Sequence, residues 1–309
     1  LREAGDLTIV HRIRIPDAAD PIEKAVLNGG KPEAQVAAFA AGDLDLVMGG
    51  RVGDLPYALR AKVPRGALRF HPAAGLFGLA PTGRSEGLQV SDVRRLLSRA
   101  LDRHALIAGL HVGGLQPRAT LLQGGMERIG VPPQPAWLNQ PAEELRPALL
   151  AEGRRLFGET ERPTLAVSLP NGPGGNYLLA RLQYDWEPLG IKVERASSTE
   201  SVVLVRIDEG APSLSPAWML RRFRCGIAAI CVEEAEPLLA DARATLDPVQ
   251  RARLFLESAR LMDDAQLFIP VAAPIRWSLV SGRVPGFAEN PFGRHTLVGL
   301  RDPRLGGAL

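Results

Sequence analysis

One stretch constrains the fold more than any other. Residues 163–194 read PTLAVSLPNGPGGNYLLARLQYDWEPLGIKVE. Residues 164–169 form an apolar, β-prone run, and the loop PNGPGGN follows. A helix is predicted from Tyr177 to Leu189, with Leu179, Leu182, Trp186 and Leu189 on one face and Gly190 at its end. A second strand follows at residues 191–194, and a third signal, SVVLVRI, at residues 201–207. Strands linked through a helix by short connections belong to a parallel or mixed sheet that the helix covers. The chain is therefore read as α/β.

The remaining signals fit that class. Residues 7–15 alternate, with Thr8, Val10, Arg12 and Arg14 opposite Leu7, Ile9, Ile13 and Ile15. A helix at residues 32–41 ending in Gly42 and a strand at 43–47 complete a βαβ-like reading of the N-terminal region. Two strand signals, ALRFH and GLFGLA, lie between residues 67 and 80. Val93, Leu96, Leu97, Ala100 and Leu101 then mark an amphipathic helix, with Ser91 or Asp92 placed to cap it. Asp102 is placed to cap a second helix carrying Leu106 and Ile107. Residues 113–140, rich in Gly, Pro and Gln, read as a long surface loop. A helix runs from residue 142 to about Phe157. Another spans residues 247–265, with Asp247 at the N-cap, Pro248 at N1 and a stripe of Val249, Ala252, Leu256, Ala259 and Met262. Residues 267–280 hold two strand-like halves broken by Pro274, and a polar, Gly-rich tail follows from 283 to 309.

Composition narrows the chemistry. At 46% hydrophobic and 23% charged residues, the chain has the make-up of a folded protein. The net charge of +3 gives no basis for a nucleic-acid partner. No run of 18 apolar residues is present. His11, His71, His104, His111 and His295 show no metal-ligand spacing, and there is no GxSxG elbow. The NGPGGN loop lacks the Lys-Ser/Thr of a P-loop and the GxGxxG of a dinucleotide site, so it reads as a tight turn. Cys225 and Cys231, separated by GIAAI, read as core thiols or as a short disulfide loop in an oxidising compartment. Arg221, Arg222 and Arg224 beside Trp218 and Phe223 form a basic–aromatic cluster, suited to clamping carboxylates or simply solvated. No catalytic residue, metal ligand or cofactor is assigned.

Four segments, in order, resemble the extracytoplasmic solute-binding proteins of ABC importers, family 5, the peptide/nickel class. PEAQVAAFAAGDLDLV resembles the family's "xxxxAFxAGxLDLV" element. SDVRRLLSRALDRHALIAGL resembles its "(D)xxVRxALxxAIDRxxL" helix pair. The strand–loop–helix–strand unit ends in the family's "LxxxGIKVE". DPVQRARLFLESARLMDDAQLFIPVAAPIRWSLVSGRVPGFAENPFGRHTL resembles its "DPxxRxxLxxxAxxLxxxxxxIPLxxxxxxxLVxxxVxGFxxNPxG" ending.

The resemblance implies a bilobal, periplasmic-binding-protein-like fold (type II, cluster C-like), with mixed sheets covered by helices and an incomplete first lobe. Lobe I would take residues 1–72 and, on the return, 273–309. Lobe II would take 73–272, with hinge strands near 75–80 and 269–274. Family members carry a signal peptide and over a hundred residues before the equivalent of Leu1, so these are expected upstream. The resemblance also implies a periplasmic, monomeric, non-enzymatic protein that holds a peptide-like solute between its lobes and delivers it to an inner-membrane ABC permease. By analogy with the family's Asp-rich loop, Asp208 is expected to anchor a peptide's amino terminus. Phe77, Arg276 and Trp277 are candidates because they lie on or beside the proposed hinge strands. Trp218, Arg221 and Arg222 follow the Asp208 loop and are candidates as well. Two alternatives remain: a cytoplasmic ligand-sensing domain of a transcriptional regulator with the same fold, and a nucleotide-using α/β enzyme built on the NGPGGN loop.

Overall fold

The computed structural model describes residues 8–14, 22–71, 73–158, 162–297 and 299–302. Along the chain these form β1 (Thr8–Arg14), β2 (Ile22–Asn28), α1 (Pro32–Ala41), β3 (Leu46–Gly50), α2 (Leu55–Arg60), β4 (Leu68–His71) and β5 (Gly75–Pro81). Then come α3 (Glu86–Gln89), α4 (Ser91–Ala100), α5 (Arg103–Ala108), α6 (Ala142–Phe157), β6 (Thr164–Ser168), α7 (Pro173–Trp186) and β7 (Lys192–Arg195). The last elements are β8 (Leu204–Gly210), α8 (Pro216–Leu220), α9 (Ala235–Ala244), α10 (Pro248–Asp264), β9 (Ile269–Ala272) and β10 (Arg276–Val280). The chain divides into two compact units. Unit 1 is Leu1–Ala73, Gly172–Gly174 and Ile275–Leu309; unit 2 is Ala74–Asn171 and Gly175–Pro274.

Unit 1 corrects the βαβ-like reading of the N-terminal region. β1 closes antiparallel on β2, in register from Thr8↔Asn28 to Arg14↔Ile22, and forms a two-stranded sheet of its own. β3 pairs instead with β10, which also pairs with β4, giving the antiparallel order β3-β10-β4. The IEKAVLN segment of β2 carries only weak alternation, which hid the local partner of β1; Leu7 and Ile15 lie outside the described residues. Gly42 ends α1 in the left-handed conformation, at φ 87°, as a C-cap glycine does. Trp277 fixes the middle of the sheet. Its indole is 1% exposed and lies so close to Gly50 that a Cβ there would sit 2.1 Å from Trp277 Cε2. Its Nε1–H donates to the Arg51 carbonyl at 2.9 Å. Beside it, His71 is buried, with Nε2 2.9 Å from Ser278 Oγ and its ring 4.4 Å from that of His295. Burial, aided by His295, lowers the His71 pKa to about 4.

Unit 2 is built on a five-stranded mixed sheet in the order β7-β6-β8-β5-β9. β6 pairs in parallel with β7 and β8, while β5 pairs antiparallel with β8 and β9. The stretch that opened the sequence analysis thus forms β6, α7 and β7. The buried face of α7 is carried by Leu178, Leu182 and Trp186, at i, i+4 and i+8, with Leu179 turned partly outward. Trp186 is fully buried and donates Nε1–H to the Leu97 carbonyl at 2.9 Å. Gly172 takes a positive φ of 94°, and a Cβ on Gly175 would strike the Pro170 carbonyl. One face of the sheet carries a core of Leu76, Ala80 and Ile207, packed against Met219, Leu220, Leu239, Phe255, Ala259 and Met262. Residues 113–140 are not confined to the surface. Leu121, Leu122, Met126 and Ile129 project from that segment into this same core.

Two aspartates cap helices as the sequence predicts. The Asp247 side chain accepts from Val249 N–H at the start of α10, and Asp102 accepts from Ala105 N–H at the start of α5. α4 has Val90 at its N-cap and no side-chain cap, contrary to the Ser91 or Asp92 expectation. The buried stripe of α10 is also rotated from the expected one. Phe255 and Ser258 join Ala252, Ala259 and Met262 inside, while Val249 is 47% exposed.

Three buried arginines satisfy backbone carbonyls, two of them at helix ends. Arg94 donates to the carbonyls of Ala265 and Gln266, just past α10, and to those of Leu88 and Gln89 at the end of α3. Arg103 donates to Ser98 O, Leu101 O and Pro270 O, and to Ser98 Oγ. Arg118 donates to the Gly75 carbonyl and to Gln123 Oε1, which also accepts from Gly75 N–H. The last carbonyls of a helix have no partner within it, and a guanidinium satisfies several at once.

Beyond α8, Cys225 and Cys231 are joined by a disulfide. Glu236 of α9 holds the loop's first residues, accepting from the Arg224 guanidinium and from Cys225 N–H at 2.8 Å. Replacing both cysteines by serine removes a cross-link with a sequence separation of 6. In the chain-entropy account this costs about 2–3 kcal/mol. Urea unfolding of the double variant, and of the parent protein in reductant, should show the same lowered midpoint.

Burial raises the Asp263 pKa to about 8, although the Leu121 N–H it accepts at 2.9 Å and nearby Arg118 both act against the rise. An unfolded aspartate titrates near about 4, so between the two values the native state holds a proton that the unfolded chain has lost. Stability therefore falls as pH rises through this window. Asp263→Asn keeps a side-chain oxygen for Leu121 N–H and cannot ionise. Thermal melts from pH 5 to 9 should show the parent protein losing Tm relative to this variant as pH rises.

Candidate functional site

β8 organises the candidates of unit 2. Its alternation sends Val205 and Ile207 toward the core shared with α8 and α10, and Arg206 and Asp208 to the opposite face. Asp208 stands directly across from Phe77 of β5, and Phe77 from Ala272 of β9. Both side chains are buried, Phe77 at 2% and Asp208 at 5% exposure. The Asp208 carboxylate accepts from Arg206 Nη1 at 2.9 Å, two residues back on the same strand. The carboxylate expected to anchor an amino terminus is therefore held by an arginine of its own strand.

The next residue faces differently. Glu209 pairs with the Arg222 guanidinium, and both side chains are a little over a third exposed. Arg221 is exposed and lies 5.7 Å over the ring of half-buried Trp218. Glu209, Trp218, Arg221 and Arg222 thus form an accessible group with one carboxylate, two guanidiniums and an indole. Ala211 N–H donates to the Ala74 carbonyl at 2.8 Å, tying the strand that leads into this group to the start of β5.

Arg276 and Trp277 belong to unit 1, adjacent on β10. Arg276 is 8% exposed, donates Nη1–H to the Ile275 carbonyl at 2.8 Å, and packs its aliphatic stem against Gly293. Trp277 is the buried centre of its sheet. Among the seven candidate binding residues, Trp218 and Arg222 are partly exposed and Arg221 is exposed; Phe77, Asp208, Arg276 and Trp277 are buried.

Sequence reasoning missed the roles of Arg206, Glu209, Arg118 and Gln123. The first two were legible, since period-2 alternation on β8 puts Arg206 beside Asp208 and sends Glu209 the other way. Arg118 and Gln123 sit in a segment without periodicity, which gave no signal. Unit 2 also contains cavities of about 470 and 1060 Å³, lined by none of the candidate residues. Among the described residues, no group of three or more His, Cys, Asp or Glu side chains is placed to hold a metal ion. Among the same residues, no helix is long and apolar enough to cross a membrane.

No family model matches the sequence. A curated protein of Pseudomonas aeruginosa (strain UCBPP-PA14), described as "Probable di/tripeptide-binding protein 5", is 28% identical over 178 residues, or 52% of this chain and 33% of that protein. The Burkholderia pseudomallei OppA structure superposes with a TM-score of 0.75 at 19% identity, covering 91% of this chain and 58% of that one. The Escherichia coli murein tripeptide binding protein MppA gives 0.72 at 15% identity, covering 93% and 57%. NikA from Brucella suis, in complex with Fe(III)-EDTA, gives 0.68 at 16% identity, covering 89% and 62%. The chain spans about a third of the curated relative and under two thirds of each of these structures. Its bilobal, mixed α/β architecture is the type II periplasmic-binding-protein fold that these structures share.

Proposed function

We propose that this chain is part of the solute-binding component of an ABC importer, and that its solute is an oligopeptide or a similar polar molecule. The fold carries the reading, because the neighbours that share it include peptide-binding proteins with and without bound ligand. Local chemistry supports a peptide over a purely apolar or purely anionic solute. Glu209 offers a carboxylate for an ammonium group, Arg222 and Arg221 offer guanidiniums for a carboxylate, and Trp218 supplies an amphipathic wall. Exchange of the half-exposed Glu209–Arg222 pair for the two termini of a peptide costs little, since exposed pairs are weakly held. The Cys225–Cys231 disulfide supports a site of action in an oxidising compartment, the periplasm, where the partner would be an inner-membrane permease. Binding without chemistry, by a shift in population toward a closed state, is the mechanism this reading requires.

The reading is tested by thermal melts with a panel of di- to pentapeptides at millimolar concentration. A ligand at about 100 times its Kd stabilises by about 2.7 kcal/mol, so a peptide of the right class raises Tm measurably. Arg222→Gln should shrink that shift while leaving the unliganded Tm nearly unchanged. A panel in which no peptide moves Tm would overturn the proposal.

A further inference from the structure

We infer that the 470 Å³ cavity on the helical side of unit 2 binds a small apolar carboxylate, at a site separate from the residues discussed above. The cavity is enclosed by the α4–α5 turn, the 3-10 turn Ala136–Asn139, the first half of α6 and the end of α7. Its volume lies within the range of small-molecule sites. Leu101, Leu138, Leu145, Leu149 and Leu189 make much of its wall apolar, and Trp137 adds a half-buried indole. That lining suits a hydrocarbon or aromatic body.

The ionic groups select the head. Three acids line the cavity. Asp102 is committed to capping α5, and Asp185 accepts from the Arg181 guanidinium and from Asp102 N–H. Glu143 stands exposed in the first turn of α6. Among the four arginines, Arg181 is neutralised by Asp185, and Arg99 by Glu152 at 3.1 Å. The other two form no ion pair among the described residues, although the nearby Asp185 carboxylate favours the charge on Arg103. Arg103, 1% exposed, donates only to carbonyls and a hydroxyl, and its guanidinium lies 5.3 Å from the Trp137 ring centroid. Arg146, exposed on α6, forms no ion pair among the described residues. One buried and one accessible cation therefore line a cavity of mixed apolar and polar wall, whose two aspartates are held by Arg181 and by the first turn of α5. A single negative charge on an apolar body complements that arrangement, with Arg146 reaching its head and Arg103 supplying the field behind it.

The test is calorimetric titration of the chain with 4-phenylbutyrate, with 4-phenylbutanol, acetate and phenyl phosphate as comparisons. Phenylbutyrate should bind at least about tenfold more tightly than phenylbutanol or acetate, a difference of about 1.4 kcal/mol. Arg146→Glu, an exposed substitution, should weaken phenylbutyrate by about tenfold or more at unchanged Tm, and Arg146→Lys should recover part of the loss. Trp137→Leu should weaken the aromatic ligand further than it weakens octanoate. Equal binding of the acid and the alcohol would overturn the inference, as would indifference to Arg146→Glu. A preference for phenyl phosphate would overturn the carboxylate assignment. Peptides enter none of these measurements, so the outcome is independent of the transport reading.

Discussion

The requirement that buried carbonyls find donors governs unit 2. A helix that ends inside a protein leaves its last carbonyls facing a medium that cannot solvate them. Here Arg94 and Arg103 reach into those places, Arg118 does the same for a strand start, and each satisfies acceptors from different parts of the chain. Arg94 joins residues 88–89 to residues 265–266. Arg103 joins the end of α4 to β9. Arg118 joins the long loop to the first residue of β5. Lysine could not replace them, because one ammonium has neither the span nor the planar fork of a guanidinium. The motif that first indicated the family, SDVRRLLSRALDRHAL, contains two of the three. Arg94 and Arg103 in it are structural fasteners, and the same is true of Asp102, which caps α5.

The parts legible in the sequence were those whose signals are local. Residues 163–194 gave two parallel strands and their helix because periodicity, loop residues and a terminal glycine all agreed. α10 was legible from its cap, yet its buried stripe was misassigned by one position. Phe255 and Leu256 are neighbours, and only the packed structure decides which faces in. β2 was hidden by weak alternation, and α9 by an AEPLLADARA segment whose three leading residues resemble a loop. The burial of Leu121, Leu122, Met126 and Ile129 could not be read from a segment without period, because tertiary packing alone puts them inside.

The candidate site divides along a similar line. Residue type was legible: an aspartate, two tryptophans and a set of arginines were selected as groups able to meet a peptide. Accessibility was not. Asp208 is occupied by Arg206, and Trp277 is spent on closing a sheet over Gly50. The open chemistry falls to Trp218, Arg221, Arg222 and Glu209, the last of which was passed over for its neighbour. One step along a β-strand reverses the face of a side chain, so Asp208 and Glu209 have opposite environments.

His71 has a consequence for how the molecule responds to acid. Its imidazole is neutral in the native state and gains a proton on unfolding, so falling pH, from about 6.5 toward about 4, works against unit 1. The buried carboxyl of α10 does the reverse in unit 2, where alkali is the adversary. These two buried groups thus respond to pH in opposite senses, one in each unit. Acid therefore charges the buried imidazole of one unit, and alkali the buried carboxyl of the other, so the two buried groups set opposite limits on one chain.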